Sequence, residues 1–596
     1  MARLASFSFV LAPLLLTACE LDFGPKTDDT AVEGTETDAD GDGWSSEQDC
    51  DDNDPEVHPD AAEWCNGIDD DCDEEVDEGD AVDRTTWYRD GDGDGYGEAA
   101  STVAACDAPS GYAATGDDCD DADASTYPGA PEICGDEVEN DCDSATDPCL
   151  ISGSVRARYA DASMMGREPE DSTGSAVASA GDVNADGFDD LLIGAPLSDT
   201  LGDNAGVAYL VLGPVAGDID LFIADATLRG KEDDAEFGHA VAGAGDVNGD
   251  GFDDLLIGAP YSDVALEDAG AAYLVLGPAT GDIDTHDASA SLAGITRYDW
   301  TGWSVAGAGD VNADGFDDLL IGAPYSDKGG SNAGAAFVML GPVSGDFSLH
   351  DATAQLFGEA DNDSAGVALG SAGDVDGDGL DDLIVGAPRS TLGGDDAGAA
   401  YLVLGDSITN LDLGSAAARL VGQAAHDGAG AAVAGAGDVD GDGLNDLLVG
   451  ASTNDAGGTD AGAAYLLLGT VRGSVLLDDA HARFVGESDF DQAGASVAGA
   501  GDTDGDGHGD ILVGAPNQDA IDTDAGAAYL LLGPIEGEWV LGAADVSFVG
   551  EQAMGHTGSA VAGAGDVDGD GVDELLIGAP DTGDAGTAYL LTIVDW

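Results

Sequence analysis

The chain has 596 residues, of which 122 are acidic and only 15 are basic, and its formal net charge is −107. A protein this acidic lacks the basic face that phosphate contacts require, which excludes nucleic-acid binding. Apolar residues still make up 43% of the chain and occur in short regular runs. The composition therefore predicts a folded acidic protein, part of whose charge is neutralised by bound cations.

Residues 1–18 have the pattern of an export signal. Arg3 precedes an apolar run that has the length of a signal sequence rather than of a membrane span. The run ends in Leu-Thr-Ala-Cys, which resembles the bacterial lipobox and implies that Cys19 is lipidated. The expected location is the bacterial cell envelope, at the outer membrane or cell surface, with the lipid as the only membrane contact. The alternative is an ordinary signal that is cleaved nearby.

Residues 19–37 are rich in Asp, Glu and Thr and predict a flexible tether. Two related modules follow, at residues 38–80 and 81–149. Each has an aspartate-rich loop, DADGDGW or DGDGDGYG, and later a DCDD box. The copies resemble the MopE-type metal-binding repeat of bacterial surface proteins, although the second lacks the Asn-Gly of the first copy's CNGIDDDC.

The alternating carboxylates of these two loops predict hard-cation sites, with calcium as the preferred ion. They are Asp38, Asp40, Asp42, Asp90, Asp92 and Asp94. The resemblance implies copper, but His58 is the one imidazole of this region, and cysteines of an exported protein favour disulfides over metal. Copper and a solvated loop without metal are the alternatives.

Eight cysteines fall within the modules and predict a disulfide framework in place of a hydrophobic core. They are Cys50, Cys65, Cys72, Cys106, Cys119, Cys134, Cys142 and Cys149. The sequence does not determine their connectivity. Local spacing favours the pairs Cys65–Cys72 and Cys134–Cys142, and then Cys106–Cys119.

Residues 151–596 repeat one phrase seven times, exemplified by DVNGDGFDDLLIGAP from Asp246 to Pro260, at intervals of 64 residues. Each copy predicts four short strands and no helix. The predicted fold is all-β: a seven-bladed β-propeller with four strands per blade, preceded by the small disulfide-rich metal-binding modules. The last copy stops after its third strand, so residues 157–166 are expected to supply the missing strand and close the ring.

The repeated phrase resembles the FG-GAP repeat of the integrin alpha-subunit head. The resemblance rests on Phe237 and Gly238, on the Gly-Ala-Pro of residues 258–260, and on the acidic loop between them. The copies vary modestly, as where Ser452 replaces the proline in the fifth copy.

The acidic loop has the pattern D-x-[DN]-x-D-G-x-x-[DE]. It begins like an EF-hand, but position twelve is the apolar Ile257 and its equivalents, so position nine must supply the last ligand. The predicted ligands are side chains at positions one, three, five and nine, with the backbone carbonyl of position seven. In chain order they are Asp182, Asn184, Asp186, Phe188, Asp190, Asp246, Asn248, Asp250, Phe252, Asp254, Asp310, Asn312, Asp314, Phe316, Asp318, Asp374, Asp376, Asp378, Leu380, Asp382, Asp438, Asp440, Asp442, Leu444, Asp446, Asp502, Asp504, Asp506, His508, Asp510, Asp566, Asp568, Asp570, Val572 and Glu574.

Crowded carboxylates are costly without a cation between them, and all-protein oxygen ligands favour Ca²⁺ over Mg²⁺ or Zn²⁺. We therefore expect about seven calcium ions in the propeller. The alternative is a set of Asp-Gly turns without metal.

The predicted function is that of a calcium-binding, non-enzymatic surface lipoprotein that adheres to an extracellular protein or glycan. The loops after each Gly-Ala-Pro are the candidate recognition surface: residues 197–204, 261–268, 325–332 and 389–396. No serine or cysteine lies in a nucleophile motif. A structural scaffold without a specific ligand, and a propeller that accompanies a hydrolase, are the alternatives. The oligomeric state is not predicted.

Overall fold

A computed structural model describes residues 38–77, 79–122, 124, 126–128, 142, 149–150 and 153–595. The export signal, Cys19 and the tether lie outside these residues. The chain separates into two compact units, Met1–Ala130 and Pro131–Trp596. The predicted domain bounds within this division stay predictions.

The first unit contains one four-stranded sheet, all of it in the second predicted module. In spatial order its strands are Tyr112–Ala113, Thr85–Arg89, Tyr96–Ala105 and Thr115–Asp118. The described residues before Thr85 form turns and bends only. This agrees with a module that has too little apolar surface for a core of its own.

Disulfides link Cys50 to Cys72 and Cys65 to Cys106. The predicted pairs Cys65–Cys72 and Cys106–Cys119 are therefore wrong. The chain after Cys65 curls around the buried Glu63 carboxylate, which accepts hydrogen bonds from the backbone N–H groups of Asp70, Asp71 and Asp77. The curl places Cys72 beside Cys50, although spacing alone favoured its nearer neighbour in sequence.

Two further cysteines, Cys119 and Cys142, are also disulfide-bonded. Cys134 lies outside the described residues, so the pair Cys134–Cys142 stays a prediction. The Cys65–Cys106 bond joins the two predicted modules, and the first unit is thus covalently cross-linked across their boundary.

The second unit is the predicted propeller, with seven sheets of five strands each. Each blade is numbered here by its innermost strand in chain order. The innermost strands are Ala176–Gly181, Ala240–Gly245, Val305–Gly309, Leu369–Gly373, Ala432–Gly437, Ser496–Gly501 and Ala560–Gly565. Each packs against the innermost strands of its neighbours, and the seventh packs against the first, which closes the ring.

The second strand of each blade follows its acidic loop and is buried throughout. These strands are Asp190–Ala195, Asp254–Ala259, Asp318–Ala323, Asp382–Ala387, Asp446–Ala451, Asp510–Ala515 and Glu574–Ala579. The third strands are equally buried: Val207–Val211, Ala271–Val275, Ala335–Met339, Ala399–Val403, Ala463–Leu467, Ala527–Leu531 and Thr587–Leu591. Their consecutive apolar residues face the neighbouring blade on both sides.

The fourth strands, in blade order, are Ala226–Arg229, Ala290–Ala293, Ala354–Phe357, Ala418–Val421, Ala482–Val485, Val546–Val549 and Ala162–Met165. The last of these comes from the start of the unit and pairs antiparallel with Thr587–Leu591. The predicted closure of the ring by an N-terminal strand is confirmed.

A fifth, outermost strand was not predicted. In blade order these strands are Gly281–Asp284, Gly345–Ser348, Leu411–Asp412, Gly473–Leu476, Gly537–Val540, Gly153–Arg156 and Gly217–Asp220. Each pairs parallel with a fourth strand that precedes it around the ring, as in Ala290 opposite Gly345. The sheet of every blade is therefore completed at its outer edge by a strand from the next copy. These strands are short and largely exposed, so the apolar pattern does not mark them.

The remaining elements are short. Single turns of 3₁₀-helix are Ala157–Tyr159, Leu221–Ile223, Leu349–Asp351, Gly405–Ser407, Leu413–Ser415, Leu477–Asp479 and Leu541–Ala543. A two-stranded pairing joins Cys149–Leu150 to Val594–Asp595. Seven apolar clusters fill the spaces between adjacent blades, including the space between the last blade and the first. The core is thus a ring of interfaces.

Candidate metal-binding loops

The carboxylate at position nine is the most buried acidic side chain of each acidic loop. All seven are at most 1% exposed. One oxygen accepts a hydrogen bond from the backbone N–H of position two, as in Asp254 with Val247 at 3.1 Å. In six blades the other oxygen accepts from a glycine after the third strand, as in Asp254 with Gly277 at 2.8 Å. Position nine therefore joins the loop to the third strand of its own blade.

The carboxylates at positions one and five fold the loop onto itself. At position one, Asp246 Oδ2 accepts from the N–H of Gly251 at 2.8 Å. At position five, Asp250 Oδ1 accepts from the N–H of Phe252 at 3.2 Å. The same pair of bonds recurs in every copy, so the loops share one conformation.

The fourth blade shows how the predicted ligands converge. Carboxylate oxygens of Asp374, Asp376 and Asp382 lie within 4.8 Å of one another. Asp376 Oδ1 is buried and accepts no hydrogen bond. The position-one atoms Asp438 Oδ1 and Asp502 Oδ1 are also buried and also accept no hydrogen bond. Buried oxygens without a donor fit a hard cation, since burying an unpaired carboxylate oxygen is costly.

Burial raises the pKa of every position-nine carboxyl, and the neighbouring carboxylates of the loop raise it further. The values are about 6 for Asp190, Asp254, Asp382, Asp446 and Asp510, about 7 for Asp318 and about 8 for Glu574. The seventh loop is the extreme case because Glu574 Oε1 is buried without a hydrogen-bond partner. Such groups are either protonated or balanced by a cation.

Position eight has a role that the sequence analysis missed. Its N–H donates to the position-one carbonyl of the preceding blade, as in Asp253 with Asp182 at 3.3 Å. The Asp253 Oδ2 then accepts from the Asp182 N–H at 2.8 Å. The backbone bond recurs at all seven junctions and the side-chain bond at five. Position eight is Asn445 and Gly509 at the other two, so the recurring aspartate was a visible signal.

The two loops of the first unit have the predicted grouping as well. Asp38, Asp40 and Asp42 present ligand atoms within 4.8 Å of one another, and so do Asp90, Asp92 and Asp94. Two further groups were not predicted. One consists of Asp49 with the disulfide-bonded Cys50 and Cys72, and the other consists of Glu63, Asp69 and Asp71. Its oxygens cap backbone N–H groups of the curl described above.

The loops that follow Gly-Ala-Pro in blades 2 and 3 meet an aromatic cluster. Trp300 packs against Tyr261, Trp303 and Tyr325, with ring centroids 4.3 to 5.4 Å apart. His239 lies on Trp303 at 4.5 Å and contacts Glu236 at 3.2 Å. The rings are half-buried, so this aromatic cluster of blades 2 and 3 offers a partly accessible surface between two predicted recognition loops.

Among the described residues, the structure has no helix that is both long enough and apolar enough to span a bilayer. This finding leaves the predicted lipid attachment at Cys19 untested.

The similarity of the chain to known proteins matches this geometry. The model described as FG-GAP repeat matches residues 173–211, 237–275, 301–339, 365–403, 429–467, 493–531 and 557–591. Each match runs from the start of the innermost strand, through the acidic loop, to the third strand. The MopE model, described as "Putative metal-binding motif", matches residues 49–78 and 118–148.

Similar curated proteins include integrin alpha chains and a phospholipase. Human integrin alpha-IIb is 38% identical over 167 residues, 27% of this chain and 15% of that protein. Integrin alpha pat-2 of Caenorhabditis elegans is 32% identical over 225 residues, 35% of this chain and 17% of that protein. The phosphatidylinositol-glycan-specific phospholipase D of Dictyostelium discoideum is 32% identical over 231 residues, 35% of this chain and 24% of that protein.

The chain therefore spans under a quarter of the length of these relatives. A solved structure, BBS1N in complex with ARL6DN, covers 74% of this chain and 98% of its own at a TM-score of 0.38 and 9% identity, a likeness too slight to inform the fold. The seven matched segments coincide with the seven blades of the structure. This chain therefore contains seven FG-GAP repeats in an integrin alpha-like β-propeller, together with two MopE-type metal-binding motifs.

Proposed function

We propose that this protein is a calcium-binding, non-enzymatic cell-surface protein whose propeller binds an extracellular protein or glycan. The observation that carries the proposal is the repeated acidic loop, in which a buried carboxylate and the other loop carboxylates gather beside the blade junctions. The integrin alpha chains among its relatives support adhesion, although human integrin alpha-IIb matches only 27% of this chain and integrin alpha pat-2 only 35%.

Calcium is the proposed ion for each propeller loop. In blade 4 the ligands are Asp374, Asp376, Asp378 and Asp382, with the carbonyl of Leu380, and the equivalent residues serve in the other six blades. All donors are oxygens, which suits Ca²⁺. The bound ion neutralises carboxylates that otherwise repel one another at the same end of each blade.

The proposed recognition surface is the aromatic cluster of blades 2 and 3 with its flanking loops. Aromatic rings supply large contact area at low cost in conformational entropy and are enriched in the energetic centres of interfaces. Trp300 is the central ring because it contacts three other aromatic residues. Loops positioned by a rigid β scaffold are common recognition elements.

The test is binding of the purified protein to arrays of extracellular proteins and glycans, with calcium or with a chelator. We expect calcium-dependent binding that Trp300→Ala weakens by at least tenfold, as for a central interface residue. Phe222→Ala is the matched control, because Phe222 is 62% exposed and lies outside the cluster. Equal loss in both variants would place recognition elsewhere.

The competing function is a hydrolase-associated propeller, which similarity to a phospholipase D keeps open. Incubation of the purified protein with phosphodiester and glycan substrates should give no hydrolysis above the buffer rate. Turnover that scales with protein concentration would contradict the non-enzymatic assignment. A protein with neither turnover nor any array ligand would instead be a structural scaffold.

Attachment through Cys19 is the remaining part of the proposal. Metabolic labelling with a fatty-acid analogue should mark the wild-type protein in the envelope fraction. Cys19→Ser should abolish the label and release the protein from the membrane, while Cys50→Ser should keep the label. Labelling that persists in Cys19→Ser would rule out this anchor.

A further inference from the structure

The DCDD boxes of the first unit lie against its aspartate-rich loops. In the first copy, Asp52 Oδ1 accepts a hydrogen bond from the N–H of Ala39 at 3.1 Å. In the second copy, Asp121 Oδ1 accepts from the N–H of Gly91 at 2.6 Å. The last aspartate of each box thus holds position two of its loop. Two segments that are separate in the sequence form one structure, and they do so in the same way twice.

In each copy, three buried carboxylate oxygens of the loop and the box lack hydrogen-bond partners. They are Oδ2 of Asp40, Asp42 and Asp49 in the first copy, and Oδ2 of Asp92, Asp94 and Asp118 in the second. The positions correspond one to one: two from the loop and the leading aspartate of the box. Asp49 is 8% exposed and Asp118 is 9% exposed, so neither orphaned oxygen is satisfied by solvent.

The charges of the loop and of the box act on one another. Burial raises the pKa of Asp118, and the negative charges of Asp94 and Asp92 raise it further. Burial also raises the pKa of Asp40, and the charges of Asp42, Asp49 and Asp38 add to the effect. The leading aspartate of each box therefore lies close to its loop, since these charges are near enough to interact.

The leading aspartate of the box reaches its loop in a different way in each copy. Asp49 stands eleven residues after Asp38, at the place of the twelfth residue of an EF-hand loop. Asp118 is 28 residues after Asp90, and it arrives through the parallel pairing of Tyr96–Ala105 with Thr115–Asp118, in which Glu98 lies opposite Asp118. A linear motif finds the first arrangement and misses the second.

We propose that Asp49 and Asp118 complete two calcium sites, each built from an aspartate-rich loop and a DCDD box. The first site consists of Asp38, Asp40, Asp42 and Asp49. The second consists of Asp90, Asp92, Asp94 and Asp118. The matched metal-binding motifs begin at residues 49 and 118, so most of each ligand set lies before the matched segment.

The donor set selects a hard divalent cation rather than copper. All eight groups are carboxylates, which suit Ca²⁺. The adjacent sulfurs are unavailable as thiolates, because Cys50 is bonded to Cys72 and Cys119 is disulfide-bonded. Each cation ties the loop to the box next to a disulfide, so the ion and the covalent bond together replace a hydrophobic core.

Hydrogen exchange of the full-length protein, followed by mass spectrometry of peptides, tests the two sites separately. Calcium titrated into the wild type should slow exchange in peptides that cover residues 38–49 and 90–97. Asp49→Asn should raise the half-saturating calcium concentration for the first peptide more than tenfold, which is the lower end of the loss caused even by outer-shell substitutions. Asp118→Asn should do the same for the second peptide alone.

Matched controls come from the same boxes. Asp51→Asn and Asp120→Asn remove the same charge from exposed side chains and should leave both titrations unchanged. Intact-mass analysis of each variant confirms that its disulfides have formed. Propeller peptides in the same digest report separately on the propeller loops, so a failure of the proposed propeller sites is distinguishable.

Three results would overturn the proposal. The first is the absence of calcium protection in either wild-type peptide. The second is equal behaviour of Asp49→Asn and Asp51→Asn, or of Asp118→Asn and Asp120→Asn. The third is protection by Cu²⁺ at concentrations where Ca²⁺ gives none.

Discussion

At the scale of single residues, the acidic side chains of the propeller have three different roles. Position-nine residues such as Asp254 hold two backbone N–H groups inside a blade. Position-eight residues such as Asp253 hold the N–H of the preceding loop across a blade junction. The other oxygens of the loop, and the second lone pairs of the position-nine oxygens, remain available to a cation. The high acidic content is therefore partly structural, because carboxylates are strong acceptors for backbone donors.

A fourth group of carboxylates caps the turn before the innermost strand. Asp363 is 1% exposed, and its Oδ2 accepts from the N–H of Ala360 at 2.9 Å. Burial, more than the nearby Glu359 and Asp361, raises the pKa of Asp363 to about 6. A folded-state pKa above the ordinary value means that the folded chain holds this proton more tightly than the unfolded chain.

The contribution of Asp363 to stability should therefore be fully present below about pH 4 and be lost as the pH rises to about 6. Asp363→Asn cannot ionise and escapes this loss. Its free energy of unfolding relative to wild type should rise by about 1 to 3 kcal/mol between pH 4 and pH 7. Urea unfolding at fixed calcium concentration measures this difference. The exposed Asp361→Asn is the control, and parallel pH curves for all three proteins would contradict the assignment.

At the scale of strands and loops, the glycine of Gly-Ala-Pro and the glycine of Phe-Gly contact each other across the blade junctions. A Cβ at Gly258, in the Gly-Ala-Pro of blade 2, would collide with the carbonyl oxygen of Gly302, in the Phe-Gly position of blade 3. The equivalent contact occurs at all seven junctions. Gly302 has a φ of +84°, a conformation that glycine adopts without strain. The two glycines of the motif are thus required by the close approach of neighbouring blades.

Gly258→Ala should lower the free energy of unfolding by about 1 to 3 kcal/mol, the usual cost of overpacking a well-packed interface. The control is Gly370→Ala in the innermost strand of blade 4. A Cβ there meets its nearest neighbours at 3.4 Å, and all six other copies, like Ala242, already have alanine at that position. Denaturant unfolding of the two variants should separate them clearly, and a loss in Gly370→Ala as large as in Gly258→Ala would contradict this account of the junctions.

The strands that were predictable from sequence are those that are buried in every copy and therefore carry the same apolar run. DLLIGA and its relatives lie between two blades, so their apolar runs mark them seven times. The outermost strands, such as Gly345–Ser348, pair with the fourth strand of the preceding blade, and their mixed exposure leaves no apolar pattern. Position eight was overlooked for a related reason: its partner belongs to the loop of the preceding blade, and a motif read along one copy does not contain it.

The ring-closing segment gives a test at this scale. Removing residues 149–166 takes away the fourth strand of blade 7 and the outermost strand of blade 6. The buried Met164 is lost, and the edge of Thr587–Leu591 becomes open to other chains. We expect a broader unfolding transition and concentration-dependent association in light scattering. A chain that begins at residue 131 keeps both strands and should remain cooperative and monodisperse; similar behaviour of the two chains would show that closure is dispensable.

At the scale of the whole molecule, the propeller is a ring in which every junction has the same three components. These are an apolar cluster between blades, a glycine contact near one end and a loop-to-loop hydrogen-bonded pair near the acidic loops. No blade has a core of its own, so each blade depends on both neighbours. Such coupling favours all-or-none unfolding, in contrast to an open repeat array, which can fray from its ends.

Removal of calcium should test this coupling in the intact protein. If the propeller sites bind with a Kd of about 1 mM, 10 mM calcium should stabilise the folded state by about 1.4 kcal/mol for each site. The sites share one cooperative ring, so we expect a single transition whose midpoint rises with calcium and falls with a chelator in differential scanning calorimetry.

Two controls separate binding from general screening of the net charge of −107. Sodium chloride at matched ionic strength screens exposed charges and should reproduce only a small part of the calcium effect. Magnesium should be less effective than calcium, because it dehydrates reluctantly. Ion counting on the dialysed protein should find about seven calcium ions in the propeller. A midpoint that responds equally to sodium, magnesium and calcium would mean that the acidic loops hold no specific ion, and that hydrogen bonds alone shape them.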